Sequence, residues 1–254
     1  MNKKKVVIIC IISVILIAII SNIIDNDLNS RTIAFIGDSL MAGYGNDDKG
    51  FEYYFAKRLD YSRFINNSKS GSTITTNTGS DNIVILNQVK SLTGNPDIII
   101  FNGGINDIIG YALGTLNSGL KKEIGTVNMD SKELANNNTV IDDFEKTVVE
   151  LQTKFPDAKL CYVQLFLLDD ITIDNITLDE SKKPDIKARR DAFFGQLEQL
   201  CEKWGIHYID VSERFIDTGT QYRQDDWIHF KEVGYQLLTP TILDRLEEMK
   251  LGIF

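Results

Sequence analysis

Cysteine, histidine and basic patches are scarce in this chain. Its 254 residues hold only three cysteines, Cys10, Cys161 and Cys201, and no CxxC or Cys/His ligand spacing. A zinc site therefore has no support. Cys10 lies in an apolar run, Cys161 in a strand-like stretch and Cys201 in a helix-like one. Buried free thiols are the plain reading, with a Cys161–Cys201 disulfide as the alternative outside the cell. The net charge is −9, and no basic cluster follows the first five residues. Nucleic acid is excluded as a partner on that ground. No internal repeat or low-complexity tract stands out, and the G-x-S-x-G elbow of α/β-hydrolases is absent. With two histidines, any histidine-based chemistry has few places to reside.

What is present begins with Lys3, Lys4 and Lys5, followed by residues 6–24 without a charge. As a helix that run spans about 28 Å, close to the ~30 Å of a bilayer core. The lysines then stay in the cytoplasm and the rest lies outside. We expect a cytoplasmic tail over 1–5, a transmembrane anchor or uncleaved signal over 6–24, a short linker over 25–31 and one folded domain over 32–254. Secretion after signal cleavage is the alternative, although Ile19-Ile20-Ser21 is a poor cleavage site.

Within the domain, short apolar runs alternate with amphipathic ones. Strands are expected at 32–36, 63–67, 97–101, 159–165 and 206–211. Helices are expected at 51–59, 83–92, 141–155, 185–204 and 233–249. The 97–101 run is almost wholly apolar, as in a strand buried on both faces. The alternation implies a doubly wound α/β sheet. Residues 110–138, rich in Gly, Asn, Ser and Thr, carry no clear element and follow a strand at the carboxyl edge, where sites form.

Four short blocks carry possible chemistry. Gly37-Asp38-Ser39-Leu40 follows the first strand and presents a serine where strand turns into helix; such a serine is a nucleophile candidate or an ordinary N-cap. Ser70-Gly71-Ser72-Thr73 follows the second strand; its glycine lets a backbone N–H approach a ligand, or simply makes a turn. Gly103-Gly104-Ile105-Asn106-Asp107 follows the third; Asn106 can donate to a developing oxyanion or cap a turn. Asp226-Trp227-Ile228-His229 sets a carboxylate three residues before an imidazole, so that the first can orient the second as a base. His207 sits in a strand-like alternation and reads as structural, and Asp225 has the wrong offset. Together the blocks supply nucleophile, oxyanion donor, base and orienter, the inventory of acyl transfer.

At these residues the chain resembles the SGNH hydrolases, also called GDSL esterases. Ile36-Gly37-Asp38-Ser39-Leu40 looks like their first block, Gly71 like the second, Gly104-Ile105-Asn106-Asp107 like the third, and Asp226-Trp227-Ile228-His229 with Gly234 like the last. Phe230 departs from the proline that often follows the histidine, and Asn67-Ser68-Lys69-Ser70 is a loose approach to the glycine. The resemblance implies a flavodoxin-like three-layer α/β/α sandwich with a parallel sheet. It implies cofactor- and metal-free ester hydrolysis by Ser39, Asp226 and His229. The implied oxyanion hole comprises the Ser39 and Gly71 N–H groups and the Asn106 side chain. A domain outside the membrane meets acylated surface glycans and lipids, so the expected substrate is a small acyl ester such as an O-acetyl group on a surface carbohydrate. An O-acyltransferase using the same residues and a non-catalytic surface binding domain are the alternatives.

Overall fold

A computed structural model of the chain describes residues 31–60, 62–76, 83–116, 121–166, 168–215 and 221–249. The proposed anchor at 6–24, the tail before it and most of the linker lie outside the described residues. Among the described residues, no helix is long and apolar enough to cross a membrane.

Among the described residues, five strands form one sheet: β1 (Thr32–Ile36), β2 (Arg63–Asn66), β3 (Ile98–Phe101), β4 (Lys159–Gln164) and β5 (His207–Asp210). Their order is β2-β1-β3-β4-β5, and every pairing is parallel. This is the flavodoxin-like order of a doubly wound sheet. The continuous apolar runs of β1 and β3 follow from their position, since a central parallel strand is covered on both faces; all four residues of β3 are buried.

Eight α-helices accompany the strands among the described residues: α1 (Ser39–Ala42), α2 (Phe51–Ala56), α3 (Ile85–Ser91), α4 (Ile105–Leu113), α5 (Val140–Lys154), α6 (Asp170–Asn175), α7 (Lys183–Trp204) and α8 (Glu232–Glu248). Local chemistry sets several ends. α5 starts in a capping box between Thr139 and Asp142 and stops before Pro156. α7 has proline in its first turn and Gly205 in the left-handed region after its last. Right-handed crossovers place the helix between β1 and β2 on one face and those after β2, β3 and β4 on the other. The packing agrees: α2 lies against α8, while α5 contacts both α3 and α7.

Two differences from the sequence expectation concern helices. α4 spans 105–113 and so runs into the first residues of the 110–138 stretch that carried no clear element, and α6 was not anticipated. The irregular part at 121–139 is pinned to helices rather than free. Lys122 pairs with the buried Asp143 at 2.6 Å, and the Arg189 guanidinium donates to the Lys122 carbonyl at 2.8 Å. Cys161 on β4 and Cys201 on α7 form no disulfide; both are buried free thiols. Burial pushes each up to about 12, so both remain protonated and unreactive.

Candidate active site

Parallel register brings three of the four blocks together. Ile36 is level with Phe101, and Phe35 with Asn66, so the chain leaves β1, β2 and β3 at one carboxyl edge. From β1 the chain steps to β2 on one side and then to β3 on the other. The crevice where it reverses is the switch point at which ligands bind in such sheets.

Asp38 caps α1, its carboxylate accepting from the Leu40 N–H at 2.9 Å, and Ser39 becomes the first helical residue. Ser39 is buried yet lines a cleft of about 300 Å3 shared with Tyr44, Gly71, Asn106 and His229. Its Oγ lies 2.8 Å from His229 Nε2, and His229 Nδ1 lies 2.6 Å from Asp226 Oδ2. Asp226 Oδ1 also accepts from the backbone N–H groups of Ile228 and His229, each at 2.9 Å. Burial opposes its charge, but the His229 side chain and those two N–H groups outweigh it and hold the carboxyl at about 2. Asp226 is thus an ionised acceptor, which assigns the proton of a neutral His229 to Nδ1 and leaves Nε2 to accept from Ser39.

The loop that carries this pair is closed on itself. Gln224 N–H donates to the His229 carbonyl at 2.7 Å, and Arg223 pairs with Phe230 as an isolated bridge. Arg223 also donates to the Trp227 carbonyl at 2.9 Å and to Thr172 Oγ1 on α6 at 3.1 Å. Phe230, where the resemblance leads one to expect proline, is buried against Phe51 and Tyr235. The Tyr44 ring, half exposed, stands 4.7 Å from the imidazole.

Opposite, Gly71 sits at φ +78°, a left-handed conformation that disfavours a side chain. Among the hydrogen bonds of the described residues, none uses the N–H of Ser39 or of Gly71. The Asn106 amide donates one N–H to the Ser72 carbonyl at 2.9 Å, and its second N–H is available to the cleft. Asp107, buried, accepts from the N–H groups of Ile74 and Thr75 at 2.9 and 2.8 Å, fixing the same loop from below.

Two carboxamides that the sequence reading missed complete this side. Gln88 on α3 is buried: its Oε1 accepts from Gly37 N–H at 2.9 Å, and its Nε2 donates to the Gly37 carbonyl at 2.9 Å and to Ser72 Oγ at 2.6 Å. It therefore fastens the serine turn to the glycine loop. Asn102 donates to Asp38 Oδ1 at 2.8 Å and accepts from Asp38 N–H at 3.2 Å. A Cβ on Gly37 would fall 1.7 Å from the Asn102 carboxamide oxygen, so only glycine admits this contact. Burial raises Asp38 to about 6, partly offset by the bonds from Asn102 and Leu40, and its second oxygen has no partner. The only sequence signal for either residue is a polar side chain in an apolar context.

The remaining expectations separate cleanly. His207 opens β5, at the end of the strand away from the carboxyl edge, and burial together with nearby Lys159 lowers its pKa. Asp225 is exposed and takes no part in the hydrogen-bonded chain through His229. Among the described residues, no group of three or more His, Cys, Asp or Glu side chains is arranged to hold a metal ion.

A serine at a helix start, hydrogen-bonded to a histidine that a carboxylate orients, on the carboxyl edge of a parallel sheet, defines an α/β protein with a hydrolase-type site. The chain belongs to the GDSL-like lipase/acylhydrolase family, whose sequence profile matches residues 35–237. A search of curated proteins finds no match. Solved structures share the fold. A lipase/acylhydrolase from Enterococcus faecalis is 18% identical with TM-score 0.52, covering 86% of this chain and 96% of that one. Phospholipase A1 from Streptomyces albidoflavus is 14% identical with TM-score 0.55, covering 85% of this chain and 99% of that one. A carbohydrate esterase, whose active site is described as having divergent catalytic and non-catalytic binding functions, is 20% identical with TM-score 0.53, covering 88% and 66%.

Proposed function

We propose that the protein is an extracytoplasmic serine esterase that hydrolyses a carboxylic ester through an acyl-serine intermediate. The observation that carries this is the unbroken hydrogen-bonded chain from Ser39 through His229 to Asp226. Ser39 Oγ attacks the ester carbonyl while His229 Nε2 takes its proton, and the Asp226 carboxylate stabilises the imidazolium that forms. Negative charge then develops on the former carbonyl oxygen. The N–H groups of Ser39 and Gly71 and the second N–H of Asn106 are the donors proposed to meet it. His229 returns the proton to the departing alcohol, leaving the acyl group on Ser39. Water, deprotonated by the same imidazole, releases the acid and restores the serine.

The N-terminal run, read as a membrane anchor, supports a domain outside the cytoplasm facing acylated surface glycans or lipids. A fluorophosphonate probe should label the purified protein at Ser39, and Ser39→Ala should abolish both labelling and release of p-nitrophenol from its esters. A folded Ser39→Ala protein that still turned over ester would overturn the mechanism. A wild-type protein that neither labels nor hydrolyses would instead indicate a binding domain.

A further inference from the structure

The cleft is not built evenly around Ser39. One wall is α4, whose Ile105, Ile109 and Leu113 follow one another at four-residue spacing and all line the cavity. Residues so spaced share a helix face, and eight residues of helix make an apolar wall about 12 Å long. Ile228 adds a further apolar surface. Ile105 and Ile109 are almost wholly buried and form the floor of this wall, while Leu113 is half-buried and offers its accessible part.

The chemistry fixes which part of an ester meets that wall. The leaving oxygen must come within reach of His229 Nε2 to receive its proton, which sets the alcohol on the side of His229 and Tyr44. The carbonyl oxygen points to the donors at Gly71 and Asn106. The acyl chain takes the remaining direction, along the helix that begins beside Asn106. We infer that the α4 wall is an acyl-chain subsite, with Ile109 and Leu113 as its specificity-determining residues, and that the preferred acyl group is of medium length rather than acetyl. The inference rests on the serine-esterase reading above. An acetyl group would end near Ser39 and leave the exposed face of Leu113 uncovered. Each further methylene laid on it transfers about one CH2 from water to an apolar surface, worth about 0.8 kcal/mol, or roughly fourfold in kcat/KM. Tyr44, half exposed beside His229, leaves the alcohol side open to solvent.

The test holds the alcohol constant and varies the acid. With p-nitrophenyl esters from acetate to dodecanoate, kcat/KM should rise by more than tenfold from acetate to hexanoate and then level or fall. Leu113→Trp places bulk across the outer part of the wall and should collapse the hexanoate-to-acetate ratio toward one. Leu113→Ala, a milder change, should lower the ratio by a few fold and move the optimum to longer chains; melting curves establish that both variants are folded. Turnover with acetate preferred in the wild type, or a ratio that neither Leu113 substitution moves, would overturn the acyl subsite while leaving the esterase intact. Absence of turnover at every chain length, together with absence of fluorophosphonate labelling, would overturn the esterase reading itself and the subsite with it.

Discussion

The two halves of the site are held in opposite ways. On the nucleophile side, Gly37, Ser39 and the 70–75 loop are fixed by buried bonds to residues far along the chain. Gln88 reaches Gly37 across 51 positions, Asn102 reaches Asp38 across 64, and Asp107 reaches Ile74 across 33. On the base side, Asp226 holds His229 across three positions, at the surface, within a loop that bonds to itself. The first half is a preorganised frame in which every buried polar group depends on others. The second is a local device attached to the fold through Arg223 and Phe230. On the proposed mechanism, a base that moves during proton transfer tolerates such a mount, whereas donors that must already point at the oxyanion do not.

Breaking the local device should have the largest effect on rate. His229→Ala should lower kcat/KM by roughly 10⁴-fold or more, and Asp226→Ala should be nearly as severe. His207→Ala and Asp225→Ala should leave steady-state kinetics on one short ester close to wild type. Equal losses at His207 or Asp225 would reassign the base.

Next comes the edge of the frame. Asn106→Ala should reduce kcat by roughly 10²–10³-fold with little change in KM, because its donor strengthens only as charge forms. A lower melting temperature with unchanged kcat would return Asn106 to a turn-stabilising role through its bond to Ser72.

The frame itself is tested through Gln88. Gln88→Ala leaves the Gly37 N–H buried without a partner, costing about 1–3 kcal/mol, and removes one of two bonds at both the Gly37 carbonyl and the Ser72 hydroxyl, which keep those to Lys69. The protein should melt markedly lower, and kcat should fall roughly ten- to hundredfold where it is still folded, through displacement of the donors. Gln88→Glu, which cannot donate to Gly37 or Ser72, should not rescue it. A Gln88→Ala protein that melts lower but keeps its kcat would separate stability from alignment.

The smallest effect is one of pH. Asp38 has its pKa raised from 3.8 to about 6 in the fold. The folded state therefore binds its proton more tightly than the unfolded state, and stability should fall as pH rises from about 4 to about 6 and level above that. The span is about 3 kcal/mol at 1.36 kcal/mol per unit. Asp226, lowered to about 2, has the opposite sign: its stabilisation is full near pH 6 and is lost progressively below about pH 5, an effect that remains in the variant. Asp107, also raised by burial, adds a slope of the same sign that remains in the variant. Asp38→Asn, neutral throughout, should flatten the plot of melting temperature against pH between 4 and 6; an unchanged slope would remove Asp38 from the account.

The same contrast explains what the sequence made legible. Asp226 and His229 could be read because their relation is three residues long, and Ser39 because a strand visibly ends before it. The five strands were legible because runs such as Ile98–Phe101 are apolar without interruption. Gln88 and Asn102 were not, since nothing near them in the chain announces partners on another strand end. α4 was obscured beyond its start by Gly110, a residue disfavoured inside helices by about 1 kcal/mol. There the chain returns over the helix, and a Cβ on Gly110 would lie 3.1 Å from both Leu116 and Thr115. The short α6 falls below the length at which periodicity is readable. The acyl wall was hidden for the same reason as α4: without the helix, the spacing of Ile105, Ile109 and Leu113 has no face to define.

The bond between Ser39 and His229 spans 190 positions, and the Tyr235 hydroxyl donates to the Leu40 carbonyl across 195. During synthesis on a ribosome, a chain that has reached α7 already holds the nucleophile and its frame, yet no imidazole stands beside Ser39. Contacts of this separation are also among the last to reward the ordering they require. On the proposed mechanism, catalytic competence thus arrives as a late event, when the segment from Arg223 onward closes over the first helix. A product stalled or cut before that segment would be an inert protein with most of its core in place.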